Sequence, residues 1–276
     1  MHQSLRIFLF LLVIIFANIM QTITGFAGTV LAMPFSIILV GSELSRTVLN
    51  ILGIAASLGV VILNRKAINW KEVLKICAIM LVGMVAGYLI ISYANISKQI
   101  LYFILAGFVL LFTVIGCYTT FIKKEKKEEV DETQLLDNQD QASLMKEPIY
   151  KVILWYALLV VAGVVHGMYV CGGPLLIIYA TKKLKDKDEF RSTLSMVWVV
   201  LNIVNLVRDI LFGNFVTGDP KMTFIVLAMA LGVLTAAVVI GNLIAKRLNR
   251  KTFMIITYVL MAISAISLIL NACGVF

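Results

Sequence analysis

Charge is scarce in this chain of 276 residues: 14% is Asp, Glu, Lys or Arg, against 61% hydrophobic residues and a mean hydropathy of +0.99. That ratio excludes an ordinary water-soluble domain. Histidine is nearly absent, with 2 residues. The 4 cysteines (Cys77, Cys117, Cys171, Cys273) lack C-x-x-C spacing and mostly sit in apolar sequence, which argues against a metal site or disulfides. Also missing are a Walker loop, H-E-x-x-H, G-x-S-x-G and any pair of carboxylates within an apolar run. An ATP-driven pump, an intramembrane protease and a cofactor-dependent enzyme therefore find no support.

Long hydrophobic runs are what the chain has instead. A hydrocarbon core of ~30 Å needs about 20 apolar residues per helix. Runs approaching or reaching that length lie at 47–63, 73–93, 99–122, 192–212, 222–244 and 252–273. Residues 5–40 and 151–181 are also apolar, but Gly and Pro divide each of them. The N-terminal run has only His2 and Arg6 as a basic start and no clear small-x-small site, so it is expected to be a retained helix.

The net charge of +9 marks topology rather than nucleic-acid binding. Positive residues cluster in short connections: Arg65, Lys66, Lys71 and Lys75; Lys182, Lys183, Lys185 and Lys187; Lys246, Arg247, Arg250 and Lys251. By the positive-inside rule these are cytoplasmic, and the loop 123–150 with them. That loop is rich in Lys, Glu, Asp, Gln and Asn and poor in apolar residues, so it is expected to be a solvated linker. Following the sides along the chain, equivalent connections of the first and second halves switch sides. The expected fold is thus an all-α integral membrane protein with two inverted-topology halves, about five membrane elements each. Its parts are 1–122, the linker 123–150, and 151–276. The first two elements of each half are broken or re-entrant, and for residues 1–40 two crossings or a helix plus a half-helix both fit.

The halves also align in sequence. With 21–49 laid on 166–194 without a gap, Gly28 meets Gly173, Arg46 meets Arg191, Glu43 meets Asp188 and Gln21 meets His166. Each copy has a glycine break, Thr24-Gly25-Phe26-Ala27-Gly28 in the first and Cys171-Gly172-Gly173-Pro174 in the second. Paired breaks at matching positions are the best sequence pointer to a transporter's binding site. Irregular backbone survives in hydrocarbon only where it is buried in protein or lines a cavity. Glycine permits close approach there, and Pro174 suits the first position of a following helix. Helix N-termini facing both gaps would form an anion cradle. The plainer alternative is glycines that pack helices together.

The breaks, Pro34, Arg46, Arg191 and the connector Asn64–Trp70 resemble those of the TauE/SafE family of sulfite and organosulfonate transporters, whose halves each carry a glycine-rich segment. The resemblance covers nearly the whole chain outside the central loop. It implies movement of a small anion, sulfite or a sulfonate, across the bacterial cytoplasmic membrane. The glycine runs depart from the family's form at Ala27, Thr29, Val170 and Cys171, so the substrate is left open.

The candidate substrate contacts are Gln21, Thr24, Gly25, Phe26, Ala27, Gly28, Arg46, His166, Tyr169, Cys171, Gly172, Gly173, Pro174 and Arg191. Arg46 and Arg191 suit oxyanion oxygens, or are snorkelling anchors paired with Glu43 or Glu189. Arg208-Asp209 reads as an interfacial or structural pair. His166 is a candidate carrier of a coupling proton, or a neutral ring satisfied by a carbonyl. Asn18, Thr22, Asn50, Asn202 and Asn205 suit solute contacts or interhelical hydrogen bonds, and Trp198 suits packing. The expectation is an alternating-access carrier, with H⁺ or Na⁺ as coupling ion, a small anion and the lipid bilayer as partners, and a homo-oligomer left open. An anion channel, a carrier of another solute, or a membrane scaffold without flux are the alternatives.

Overall fold

The computed structural model describes residues 3–93, 149–169, 172–184, 186–213, 215 and 219–274, with isolated positions between 103 and 118. Most of the linker 123–150, most of the expected span 99–122, the connection 94–98 and Cys171 lie outside the described residues. In chain order the helices are α1 (Gln3–Thr24), α2 (Ala27–Val40), α3 (Ser42–Leu63), α4 (Trp70–Tyr93) and α5 (Ile149–Tyr169). There follow α6 (Gly173–Lys183), α7 (Lys187–Leu211), α8 (Pro220–Arg247) and α9 (Arg250–Ala272), and there is no strand among the described residues. A 3-10 turn at Arg65–Ala67 joins α3 to α4.

Among the described residues, five segments are long and apolar enough to cross a membrane: Gln3–Thr24, Leu44–Leu63, Trp70–Ile90, Lys187–Leu211 and Pro220–Arg247. Val152–Met168 and Lys251–Ser267 are apolar but shorter. Several helices start earlier than the apolar runs because polar residues just before them cap the first turn. Asp186 accepts from the N–H groups of Asp188 and Glu189, and Asp219 from that of Lys221. Asn69 accepts from Glu72 N–H and Asn249 from Thr252 N–H. Each cap satisfies a donor that the helix itself leaves unpaired.

The side-chain arrangement inverts that of a soluble bundle. On α1, Leu5, Phe8, Leu12 and Phe16 are exposed, whereas Asn18, Gln21 and Thr22 are buried. On α7, Ile203, Val207 and Ile210 face outward, and Arg191, Ser192, Ser195, Asn202, Asn205 and Asp209 face inward. Apolar surface outside and polar groups inside suit hydrocarbon surroundings, where a polar group needs a protein partner.

α4 packs along α5, α1 along α8, and α3 along α7, while α2 lies against α1, α3 and α9. Glycines make the closest seam. A Cβ on Gly83 would overlap the Val160 carbonyl oxygen, and one on Gly163 that of Met80. Gly87 abuts Val164 O in the same way, and Gly167 abuts Met84 O. Both helices therefore present G-x-x-x-G faces that bring their backbones into contact. On the other flank, a Cβ on Gly241 of α8 would lie 2.9 Å from Ile19 O of α1.

The two ends of the bundle differ. At one end the basic connectors meet: Asn69 donates to Glu189 at 2.8 Å, and its N–H to Thr193 at 3.0 Å. There, too, Lys187 Nζ donates to the carbonyls of Ala245 and Leu248 at the end of α8, where a cation suits the helix dipole. Tyr179 donates to Glu72 at 2.8 Å at the same end, and Lys75 pairs with Glu72. At the other end, Arg46 at the start of α3 pairs with Asp209 near the end of α7, and Thr47 donates to Phe215 O.

α2, with 14 residues, and α6, with 11, are about 21 and 17 Å long, short of the ~30 Å hydrocarbon thickness. Only Gly25 and Phe26 separate α1 from α2, so the first break is narrower than the glycine run, and Gly28 is helical. Gly41 alone, with φ of +86°, separates α2 from α3.

The glycine seam yields a stability prediction. Gly163→Leu forces α4 and α5 apart and is expected to cost about 2 kcal/mol or more, read as a lower melting temperature of the detergent-solubilised protein. Gly232→Leu, at a position where an added Cβ would have nothing within 4 Å, is the control expected to change little.

Candidate functional site

The two breaks come together in one cleft. It is lined by Gln21, Phe26 and Thr29 around the first break, His166 and Gly173 around the second, and Trp198 and Asn202 from α7. Its cavity volume is about 20 Å³, room for little more than one water molecule. No formally charged side chain lines it among the described residues.

Close packing explains each break. Gly25 adopts φ of +84°, a conformation that favours glycine, and any Cβ there would sit 2.8 Å from the Arg191 carbonyl oxygen. Thr24 Oγ1 donates to Met20 O at 2.8 Å and accepts from Phe26 N–H at 3.4 Å, closing the end of α1. Gly28 faces the Gln21 side chain so closely that a Cβ would displace it. Gly172 lies against Ala162 O and the His166 Cβ. α6 then begins with Pro174 in its first turn and no side-chain cap on Gly172. Its opening N–H groups, unlike those of the capped surface helices, have no capping side chain at Gly172 to satisfy them.

Hydrogen bonding orients the cleft's side chains. Gln21 Nε2 donates to Ser57 Oγ at 3.0 Å and Gly53 O at 3.3 Å. Tyr88 O–H donates to Asn205 Oδ1 at 2.6 Å, which turns the Asn205 amide nitrogen toward His166 Nε2, 3.2 Å away. With Nε2 accepting, the neutral ring carries its proton on Nδ1. That Nδ1, Trp198 Nε1 and Asn202 Oδ1 make no well-formed hydrogen bond among the described residues, though the Asn202 amide lies near enough to act on the His166 ring. The His166 and Trp198 rings lie with centroids 5.2 Å apart. His166, Trp198 and Asn202 are all buried. Orphaned donors in buried positions are costly unless something binds them. Here they border a water-sized cavity, where a single oxygen atom can meet them.

Of the candidates from sequence, Gln21, Phe26, His166 and Gly173 line the cleft. Thr24, Gly25, Gly28 and Gly172 shape it through the contacts above. The side chains of Ala27, Tyr169 and Pro174, and all of Cys171, lie outside the described residues. The two arginines sit elsewhere, and their partners differ from those expected. Arg46 Nη2 pairs with Asp209 Oδ1 at 2.9 Å, and Arg208 Nη1 reaches the same oxygen at 3.3 Å, while the Glu43 side chain lies outside the described residues. Glu189 is taken by Asn69, so Arg191 instead donates to Asn242 Oδ1 at 2.6 Å. Helix rotation puts Glu189 on a different face from Arg191 two positions later, which explains why sequence proximity misleads.

Thr29 escapes sequence inspection because it differs from the glycine pattern. Trp198 reads from sequence as packing, yet its indole faces the cleft. Asn242 and Tyr88 carry no local signal, since single polar residues on apolar helices look alike until their partners are known.

A family model described as Sulfite exporter TauE/SafE matches residues 10–268. No curated protein and no solved structure matches the chain significantly. With helices of spanning length and a match over nearly all of its residues, the chain belongs to the TauE/SafE sulfite exporter family and is a multi-pass membrane protein of that family of transporters.

Proposed function

We propose that the protein is a secondary transporter that moves a small sulfur oxyanion, sulfite or an organosulfonate, across the bacterial cytoplasmic membrane by alternating access. The observation that carries this is the meeting of both breaks in one buried cleft, with His166 and Trp198 N–H donors that make no well-formed hydrogen bond among the described residues and the uncapped start of α6 facing it. Neutral donors and helix N-termini bind oxyanions without a buried countercharge. A site between two bundles that rock about it is the usual design of carriers built from inverted repeats.

Several pairings support the inverted repeat. Gly87 of α4 abuts Val164 O, and Gly241 of α8 abuts Ile19 O. Ile19 and Val164 share the register that aligns Gln21 with His166. The basic connectors gather at one end, which on this reading is cytoplasmic and also holds the linker 123–150. On this reading α2 and α6 are re-entrant or short elements whose N-termini point to mid-membrane, which their short lengths support. The carrier is proton-coupled, with His166 as the titrating group, since its Nδ1 faces the cleft and its Nε2 is held by Asn205.

In proteoliposomes, saturable sulfite counterflow is expected, and Gly28→Leu, which expels Gln21, should reduce it by about tenfold or more. Unsaturable conductance would instead assign a channel, and full activity in Gly28→Leu would remove the cleft from the transport path. Uptake should depend on pH in the parent protein and lose that dependence in His166→Gln; an unaltered profile discards the proton role. On a cysteine-free background, thiol labels at Lys66→Cys and Phe212→Cys should react from opposite sides of the membrane. Labelling from the same side is incompatible with the proposed topology.

A further inference from the structure

We infer that the two sequence-aligned arginines have unequal tasks: Arg46 is a fixed structural charge, whereas the transported anion is itself the counter-ion of Arg191. The inference rests on the anion specificity proposed above and assigns that anion a second station beyond the central cleft.

The contrast lies in what surrounds each guanidinium. Arg46 is about one-third exposed and bonded to Asp209, which also takes Arg208, and Arg208 lies 4.4 Å over the Tyr88 ring. Arg191 is 1% exposed. Its Nη2 has only the neutral Asn242 amide, which also accepts from Asn64 at 3.4 Å. Its Nε and Nη1 have no partner among the described residues; Asp188, one turn earlier on α7, acts on it through space but from beyond ion-pair distance. A buried cation whose acid does not touch it gains from an anion that can reach its free N–H groups. Guanidinium N–H groups suit the oxygens of a sulfite or sulfonate better than a point charge does.

Position adds to chemistry. Arg191 lies about 10 Å along α7 from the cleft residue Trp198, toward the end where the basic connectors meet. Its backbone is the surface on which Gly25 rests, with the Cα 3.1 Å from where a Gly25 Cβ would be. Movement of the first break and movement of this arginine are therefore mechanically linked. An anion leaving the cleft toward the connector end meets a guanidinium that is in no ion pair, whereas at the opposite end the aligned arginine is already occupied by Asp209.

The test compares melting temperatures of the purified full chain with and without sulfite, thiosulfate and sulfoacetate. The parent protein should show a saturable upward shift with at least one of them. Arg191→Met should melt at or above the parent without ligand, because an unpaired buried charge is gone. Its apparent affinity should fall by about tenfold or more, with Arg191→Lys between the two. Arg46→Met, which leaves Asp209 short of a partner, should melt lower without ligand. An Arg191→Met protein that binds like the parent, melts well below it, or fails to fold overturns the inference. If the parent itself shifts with none of the anions, the anion reading falls as well. A parent that shifts beside an unaffected Arg191→Met removes only this role of Arg191.

Discussion

Backbone amides that leave a helix inside hydrocarbon find no water, so every interruption must be covered by protein or by a bound solute. Both interruptions here are covered from one side by tight glycine contacts, Gly25 on the Arg191 backbone and Gly172 on the α5 turn at Ala162 and His166. On the other side they open to the cleft. This constraint explains why α2 and α6 are short and interior and why longer helices surround them. It also explains why glycine stands where it does, since a methyl group at either point would collide with backbone or with a cleft side chain.

α7 organises the polar interior. One buried face carries Arg191, Trp198, Asn202, Asn205 and Asp209. The face runs from the end with the basic connectors, past the cleft, to the ion pair with Arg46. Each of these groups bonds to a different helix or faces the cleft: Asn242 on α8, Tyr88 on α4, His166 on α5, Arg46 on α3. Since hydrocarbon offers little apolar driving force between helices, such bonds and the glycine seams hold the bundle together. Removing one partner leaves the other stranded, which makes this face sensitive to single changes. Trp198 Nε1 at the cleft is the exception, as it lacks a partner among the described residues.

Much of this is legible in the residues. The apolar runs mark the long helices, and the paired glycine clusters mark both breaks to within a few positions. Gln21, Phe26, His166 and Gly173 are recognisable because polar or glycine residues are rare and conspicuous in apolar sequence. The glycine seam between α4 and α5 is visible as G-x-x-x-G spacing at Gly83, Gly87, Gly163 and Gly167, but nothing in the spacing says which helices meet. The partners of Arg46 and Arg191 are not legible, because they come from distant parts of the chain: Asp209 lies 163 residues from Arg46, and Asn242 lies 51 from Arg191.

Sequence alone determined the membrane class, the helix lengths, the polarity of the ends and the positions of the breaks. Each of these follows from how a segment's own side chains and amides partition between water and hydrocarbon, a property local to that segment. Tertiary structure alone decided that the breaks share one cleft, that Trp198 and Thr29 join it, and that one arginine has an ion pair while its aligned counterpart bonds to an amide. Those outcomes depend on helix rotation and crossing, where small turns about the axis exchange one set of facing residues for another.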